Sequence, residues 1–182
     1  NPETSEFFRL LLQRLSNDPG LQAKRWLIDA DGLNNLVSVA NWWEQTPAET
    51  VLTPHPAELG RLLGMTAEEV QRNRLQSARE ASVRWRKVVV LKGANTVIAS
   101  PDGRLLINPG ASAALATAGT GDVLAGAVAG LLVQGLGPRE AAAVGAYLHF
   151  QAAQLASRGL KVGMAAGDLI GSLPGAIRDV VF

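Results

Sequence analysis

Val88-Val89-Val90-Leu91 does most to narrow the folds open to this chain. The run has no polar face and is rich in β-branched residues, so it suits a strand covered on both sides. Such strands belong to parallel sheets with helices above and below. Arg25 to Ala30 and Val51 to Thr53 read as two further strands. Helices are predicted over Phe7 to Leu15, with Phe7, Leu11 and Leu15 on one face, and over Ala57 to Leu63 and Ala67 to Arg84. Asn17-Asp18-Pro19-Gly20 closes the first of these, and Thr66 with Glu69 makes a capping box at the start of the last. Thr96 to Ser100 and Arg104 to Ile107 flank Pro101-Asp102-Gly103 as an antiparallel hairpin added to the sheet. Further helices are predicted over Asp122 to Gln134 and from Pro138 to about Arg158. A last short one begins at Asp168-Leu169-Ile170, and Gly171 to Pro174 breaks the pattern there. The expected fold class is α/β, a three-layer sandwich with a mostly parallel central sheet. Its ligands gather at the C-terminal ends of the strands. A closed eight-fold barrel needs more strand–helix units than this chain holds.

With 182 residues, 47% of them hydrophobic and 18% charged, the chain is long and apolar enough for a cored domain and is not disordered. A formal net charge of +1 offers no basic field to nucleic acid, and Arg84, Arg86 and Lys87 read as the solvated flank of the central strand. No apolar run reaches the roughly 18 residues of a membrane span, so Val123 to Val133 reads as a buried helix. Neither nucleic acid nor a membrane is expected as a partner. Cysteine is absent, which excludes disulfides, thiol catalysis and Cys-ligated zinc and fits a reducing, cytoplasmic setting. His55 and His149 are the only histidines, too few for a His-rich metal site, and no dedicated metal ligand set is expected. His149, beside Tyr147, Leu148 and Phe150, reads as a bonded core or interface residue, and Trp42 and Trp43 as packing groups. The chain opens at Asn1-Pro2-Glu3 with neither methionine nor a signal peptide and reads as part of a longer polypeptide.

Four polar segments stand at predicted strand or hairpin ends. Ala116-Thr117-Ala118-Gly119-Thr120-Gly121-Asp122 leads straight into an apolar helix. Gly119 and Gly121 let backbone approach a ligand, and the first N–H groups of the helix point the same way, which suits phosphate at Ala118, Gly119, Thr120 and Gly121. The loop is neither a Walker A motif nor a dinucleotide fingerprint. An acid inside an anion site asks for a reason. Asp122 either caps the helix or takes a proton from a substrate hydroxyl beside the phosphates. Lys92-Gly93-Ala94-Asn95-Thr96 ends the central strand, with Lys92 facing phosphate, Gly93 admitting backbone and Thr96 bonding a nucleotide, or simply as a strand end. Thr53-Pro54-His55-Pro56-Ala57-Glu58 holds His55 between two prolines. His55 either bonds a substrate phosphate or ribose or packs as a loop residue, and Glu58 either caps the next helix or faces the site. Asp29, Asp31 and Asn34 form the last cluster, with Asp29 and Asp31 on one side if the strand persists. They suit substrate hydroxyl or amide contacts or, less readily, a hydrated Mg²⁺.

Taken together, Ile28-Asp29-Ala30-Asp31-Gly32-Leu33-Asn34, Thr53 to Glu58, Lys92 to Thr96 and Thr117 to Gly126 resemble the NAD(P)H-hydrate dehydratase family of the ribokinase-like superfamily. Asp168-Leu169-Ile170 resembles its closing segment. The resemblance implies a ribokinase-like fold and repair of hydrated nicotinamide cofactors. In that chemistry the 6-hydroxyl of S-NADHX or S-NADPHX is phosphorylated by ADP or ATP, often with Mg²⁺, and loss of phosphate restores NADH or NADPH. By motif, Asp122 is the catalytic carboxylate beside that hydroxyl and His55 contacts the hydrated dinucleotide, with Asp31, Asn34 and Glu58 as further substrate contacts. Lys92, Gly93, Ala94, Asn95, Thr96 and Gly121 contact the phosphate donor. The family also carries an earlier strand–helix region, with Gly-Ser and Gly-Ala motifs and a Gly-Leu-Gly turn, that this sequence lacks. Asn1 to Phe182 is therefore expected to be the C-terminal part of a single dehydratase domain. Its expected partners are the missing N-terminal part, further copies in a homo-oligomer and, in some relatives, a fused epimerase domain. Gly32 stands where the family commonly carries alanine. A hydroxyethylthiazole-kinase-like hydroxyl kinase shares most of this local chemistry, and a non-catalytic nucleotide-binding protein shares the loop.

Overall fold

Strand β3 (Val88–Leu91) lies in the middle of a five-stranded sheet and is buried along its whole length. The computed structural model describes residues 2–157 and 163–181. Strands β1 (Trp26–Ile28), β2 (Thr50–Leu52) and β3 run parallel, paired Trp26 to Thr50 and Leu52 to Val89. Strands β4 (Thr96–Ala99) and β5 (Leu105–Asn108) continue the sheet as the expected antiparallel hairpin. The order across the sheet is simply β1-β2-β3-β4-β5.

Helices fill the intervals. α1 (Pro2–Asn17) and α2 (Pro19–Gln22) precede β1, and α3 (Asp31–Leu36) and α4 (Trp42–Gln45) join β1 to β2. α5 (Pro56–Leu63), α6 (Ala67–Arg72) and α7 (Arg74–Trp85) join β2 to β3. After β5 come a 3-10 turn (Ala113–Ala116), α8 (Thr120–Val133), α9 (Pro138–Ser157) and α10 (Ala166–Val181).

Alternation along the strands divides the core. Ile28, Leu52, Val89 and Leu91 pack with Leu12, Leu33, Leu59 and Trp85 on one face of the sheet. Val51, Val88, Val90 and Ile98 pack with Leu124, Val128 and Ala142 of α8 and α9 on the other. The result is the three-layer arrangement expected. Each large side chain so buried contributes about 1.5–3 kcal/mol. A third cluster, including Val123, Leu148, Ala153 and Leu169, locks α8 and α9 to α10. Trp42 packs edge-on to Trp43 and tilted against Trp85, as packing groups should.

Several details depart from the sequence reading. Of the predicted face, Leu11 and Leu15 pack inward together with Leu12, whereas Phe7 is 65% exposed. The helix expected from Ala67 to Arg84 is two helices. Asn73 adopts a non-helical conformation between them (φ −126°, ψ 40°), as a residue whose amide competes with the backbone readily does. At the C-terminus Gly171 to Pro174 does not break the chain. α10 runs through Pro174, because Leu169 and Ala176 are buried on either side of it. α9 is described to Ser157, and Arg158 lies outside the described residues. Among the described residues no helix is long and apolar enough to cross a membrane.

Lys87 is not solvated. It is 4% exposed and donates from Nζ to the carbonyls of Thr46 and Pro47, whereas Arg84 and Arg86 stay outside. Burial, with help from the charge of Arg86, pushes its pKa down to about 8. The unfolded chain therefore holds this proton more tightly than the native one. Stability from this group is complete above the unfolded value near 10.5 and is lost as pH falls toward 8. Denaturant titrations are expected to give an unfolding free energy that rises from about pH 8 to 10.5, with a flatter profile for Lys87→Met. Equal slopes for the two proteins would refute this.

Candidate active site

The C-terminal ends of β1, β2 and β3 bring Asp29, the Thr53 to Glu58 loop and Lys92 side by side. Three strands in one direction deliver them to one edge, and the backbone ties them there. Thr53 N–H donates to Ile28 O at 3.2 Å, and Lys92 N–H donates to Pro54 O at 2.9 Å. Lys92 Nζ donates to Asp29 Oδ1 at 2.7 Å and lies 3.8 Å from Glu58 Oε2. All three side chains are largely buried. A Cβ placed on Gly121, in the first turn of α8, would stand 3.6 Å from the same ammonium. Lys92 thus sits between two carboxylates and the positive end of a 14-residue helix.

The loop into α8 is held from several sides. Gly119, in the left-handed region at φ 86°, is the residue before the helix, so Asp122 is not its cap. The capping alternative for Asp122 therefore falls. Thr120 Oγ1 shares its proton between the carbonyls of Leu115 and Thr117, each at 2.8 Å. The carbonyl of Thr120 accepts a 2.8 Å bond from Nε2 of buried His149, so the Nε2–H form of that ring is present. Desolvation lowers the pKa of His149 and so favours its neutral form. It is the bonded core histidine expected, and it also anchors the loop.

A cleft of about 750 Å³ opens beside these groups. His55, Lys92, Gly93, Ala94, Thr96, Thr120 and Gly121 line it, together with Asn108, Phe150 and His149. Asp122 stands one residue beyond Gly121 on the exposed side of α8. Ala118 and Gly119 form the turn just before the helix. Asn95 is on the rim, where its Oδ1 accepts from Gly110 N–H at 3.0 Å. The hydroxyl of Thr96 donates to Gly93 O.

His55 and Glu58 settle into a reciprocal cap of α5. His55 Nδ1 accepts from the N–H groups of Ala57 and Glu58, and Glu58 Oε2 accepts from His55 N–H at 2.8 Å. The imidazole is left half-exposed at the mouth, with Nε2 3.4 Å from Glu58 Oε1. Glu58 therefore both caps its helix and faces Lys92.

Asp31 and Asn34 lie apart from the cleft lining. The chain leaves the strand at Ile28 and turns through Ala30 (φ 48°), so Asp29 and Asp31 do not share a side. Asp31 opens α3 and accepts from Asn34 Nδ2, while Asn34 Oδ1 accepts from Arg61 on α5 at 2.8 Å. The carboxylate nearest Asp29 in function is Glu58, through the shared ammonium. Among the described residues no group of three or more His, Cys, Asp or Glu side chains is arranged to hold a metal.

One contributor escapes sequence reading altogether. Arg74 donates to the carbonyls of Leu91 and Lys92, and a Cβ on Gly93 (φ 136°) would stand 3.1 Å from its guanidinium. Arg74 opens α7 just after the break at Asn73, and an arginine inside an apparent helix gives no signal of that.

The family model described as NAD(P)H-hydrate dehydratase matches residues 2–175. The bifunctional NAD(P)H-hydrate repair enzyme Nnr of Moorella thermoacetica is 48% identical over 156 residues, 85% of this chain and 29% of that protein. The ADP-dependent (S)-NAD(P)H-hydrate dehydratase of Neisseria meningitidis is 43% identical over 162 residues, 84% of this chain and 51% of that one. The Bacillus subtilis ADP/ATP-dependent NAD(P)H-hydrate dehydratase, co-crystallized with ATP/Mg²⁺, superposes with a TM-score of 0.75 at 33% identity over 84% of this chain and 54% of its own. A ribokinase-like superfamily protein from Enterococcus faecalis, at 24% identity and TM-score 0.76 over 96% of this chain and 58% of its own, speaks to the fold alone. The chain spans between about a third and about half of the length of the curated relatives.

Proposed function

Because the chain belongs to the NAD(P)H-hydrate dehydratase family, we propose that it supplies the nucleotide and hydroxyl-activating half of a site that repairs hydrated NADH and NADPH. The observation that carries this is Lys92, held between Asp29 and the start of α8 at Gly121, the residue before the exposed Asp122. ADP or ATP lies in the cleft, with Lys92, the Gly93 to Thr96 turn and Gly121 on its phosphates. His55 and Asp122 meet the hydrated nicotinamide, and Asp31, Asn34 and Glu58 form its outer contacts.

Asp122 takes the proton of the 6-hydroxyl as its oxygen attacks the terminal phosphorus, and the nucleotide leaves shortened by one phosphoryl group. The N–H groups at the head of α8, with Lys92, hold the charge that develops on the transferring group. Phosphate then leaves the ring carbon, a ring proton is given up, and the double bond of NADH returns. Position gives the carboxylate its advantage.

The carboxylates nearest the cleft, Asp29 and Glu58, are already engaged by Lys92 and do not line it, so these residues offer no separate Mg²⁺ ligand set. Mg²⁺ would come with the phosphates of ADP or ATP and neutralise their charge. Residues 1–182 act as the C-terminal part of one domain, completed by an N-terminal part and, where fused, accompanied by an epimerase domain. The protein works in the cytoplasm as a homo-oligomer.

The intact protein with hydrated NADH and ADP or ATP is expected to restore the near-ultraviolet absorbance of NADH and to release inorganic phosphate. A phosphorylated hydrate that accumulates without NADH would identify a hydroxyl kinase instead. Ligand binding with no turnover, where a control enzyme works, would leave only a nucleotide-binding protein.

A further inference from the structure

Thr53 is fully buried, and its Oγ1 has no hydrogen-bond partner. A buried orphan hydroxyl costs free energy and calls for an explanation. Its place in the sheet supplies one. Val51, two residues earlier on β2, faces α8 and α9, so alternation puts Thr53 on that face too. On β1 the pairing of Ile28 with Leu52 sets Asp29 beside Thr53, and Leu27 packs toward the same helices. On β3 the residue two before Lys92 is Val90, again on that face. The Lys92–Asp29 bridge therefore passes from β3 to β1 across the end of β2, above Thr53.

We propose that Thr53 is a positioning residue that takes over Asp29 when an anionic phosphate draws Lys92 away. This rests on the reading that Lys92 serves the nucleotide. In the ligand-free protein the ammonium occupies Asp29 at 2.7 Å and lies close to the head of α8, where phosphate would sit. As Lys92 turns to the phosphate, Asp29 is left largely buried without its partner. The hydroxyl beneath it rotates to donate to the carboxylate. Its missing bond is made only in the liganded state, so the hydroxyl favours that state. Thr53 touches no reacting atom. It holds the carboxylate in place so that the lysine is free to move.

Thr53→Val keeps the shape and removes the hydroxyl, and Thr53→Ser keeps the hydroxyl. Without ligand, Thr53→Val should melt at or above the wild-type temperature, since nothing bonded is lost. Its affinity for ADP with magnesium, measured by calorimetry on the full-length protein, should fall by about 10-fold or more, the scale of a hydrogen bond to a charged group. Thr53→Ser should recover most of that loss. In a Lys92→Met background, where no ammonium leaves Asp29, the Thr53→Val effect on ADP affinity should vanish. Wild-type-like ADP binding by Thr53→Val overturns the role of Thr53 and leaves the nucleotide site standing. A lowered melting temperature of ligand-free Thr53→Val also overturns it, because the hydroxyl would then be bonded before ligand arrives. Absence of ADP binding by the wild-type protein overturns the nucleotide reading first, and this role with it.

Discussion

Asp122→Asn is expected to lower turnover of hydrated NADH by at least about 100-fold, while ADP affinity stays within about threefold. The amide keeps the shape of the carboxylate but cannot take the hydroxyl proton. Nucleotide contacts should survive, because the groups that shape the loop are elsewhere: Gly119 starts the helix, Thr120 ties the loop carbonyls, and His149 anchors the Thr120 carbonyl. Asp122 itself is exposed and is not the cap of α8, so the substitution removes no structural bond seen in the protein. Steady-state kinetics with calorimetry of ADP separate the two effects. Near-normal turnover would show that another group takes the proton. Equal losses in binding and turnover would show that Asp122 serves the nucleotide instead.

Lys92→Met should lose ADP affinity by at least about 100-fold and should also lower the melting temperature. The two effects have different origins. Affinity falls because the cation that lines the cleft at the head of α8 is gone. Stability falls because Asp29 and Glu58 remain buried without the ammonium they share. Removing one partner of a buried pair costs several times more than the pair itself contributes. Adding Asp29→Asn to Lys92→Met should restore much of the melting temperature but none of the affinity. Restoration of neither, or of both, would contradict this division of roles. Calorimetry and thermal unfolding of the single and double variants decide it.

The order of strands and the three layers were legible because hydrophobic pattern and turn residues agree along most of the chain. Val88 to Leu91, the Pro101-Asp102-Gly103 turn and the Thr66 capping box each carry a local signal that tertiary packing reinforces. The site motifs were legible because strand ends carry polar residues that a core would not accept. What the sequence hid depends on contacts far apart in the chain. The partner of Asp29 is Lys92, 63 residues away, and neighbouring Asp31 points elsewhere only because Ala30 turns the backbone. Lys87 looked like its arginine neighbours and is buried because two carbonyls of the Thr46 to Pro47 turn meet it. Pro174 looked like a stop, and helix α10 overrides it through the residues it buries against α9. Local propensity yields to packing in each case.

The bond from His149 to the carbonyl of Thr120 has a consequence for how sequences of this kind can drift. His149 rides on α9, whose opposite contacts are with α10 through Ala152, Ala153 and Leu169. The register of the loop into α8 is therefore inherited from a helix pair of which α10 contributes nothing to the lining of the cleft. Substitutions in that pair will be screened for the chemistry at the far end as well as for packing. The variation tolerated along α10 is then a record of how precisely the loop must be aimed.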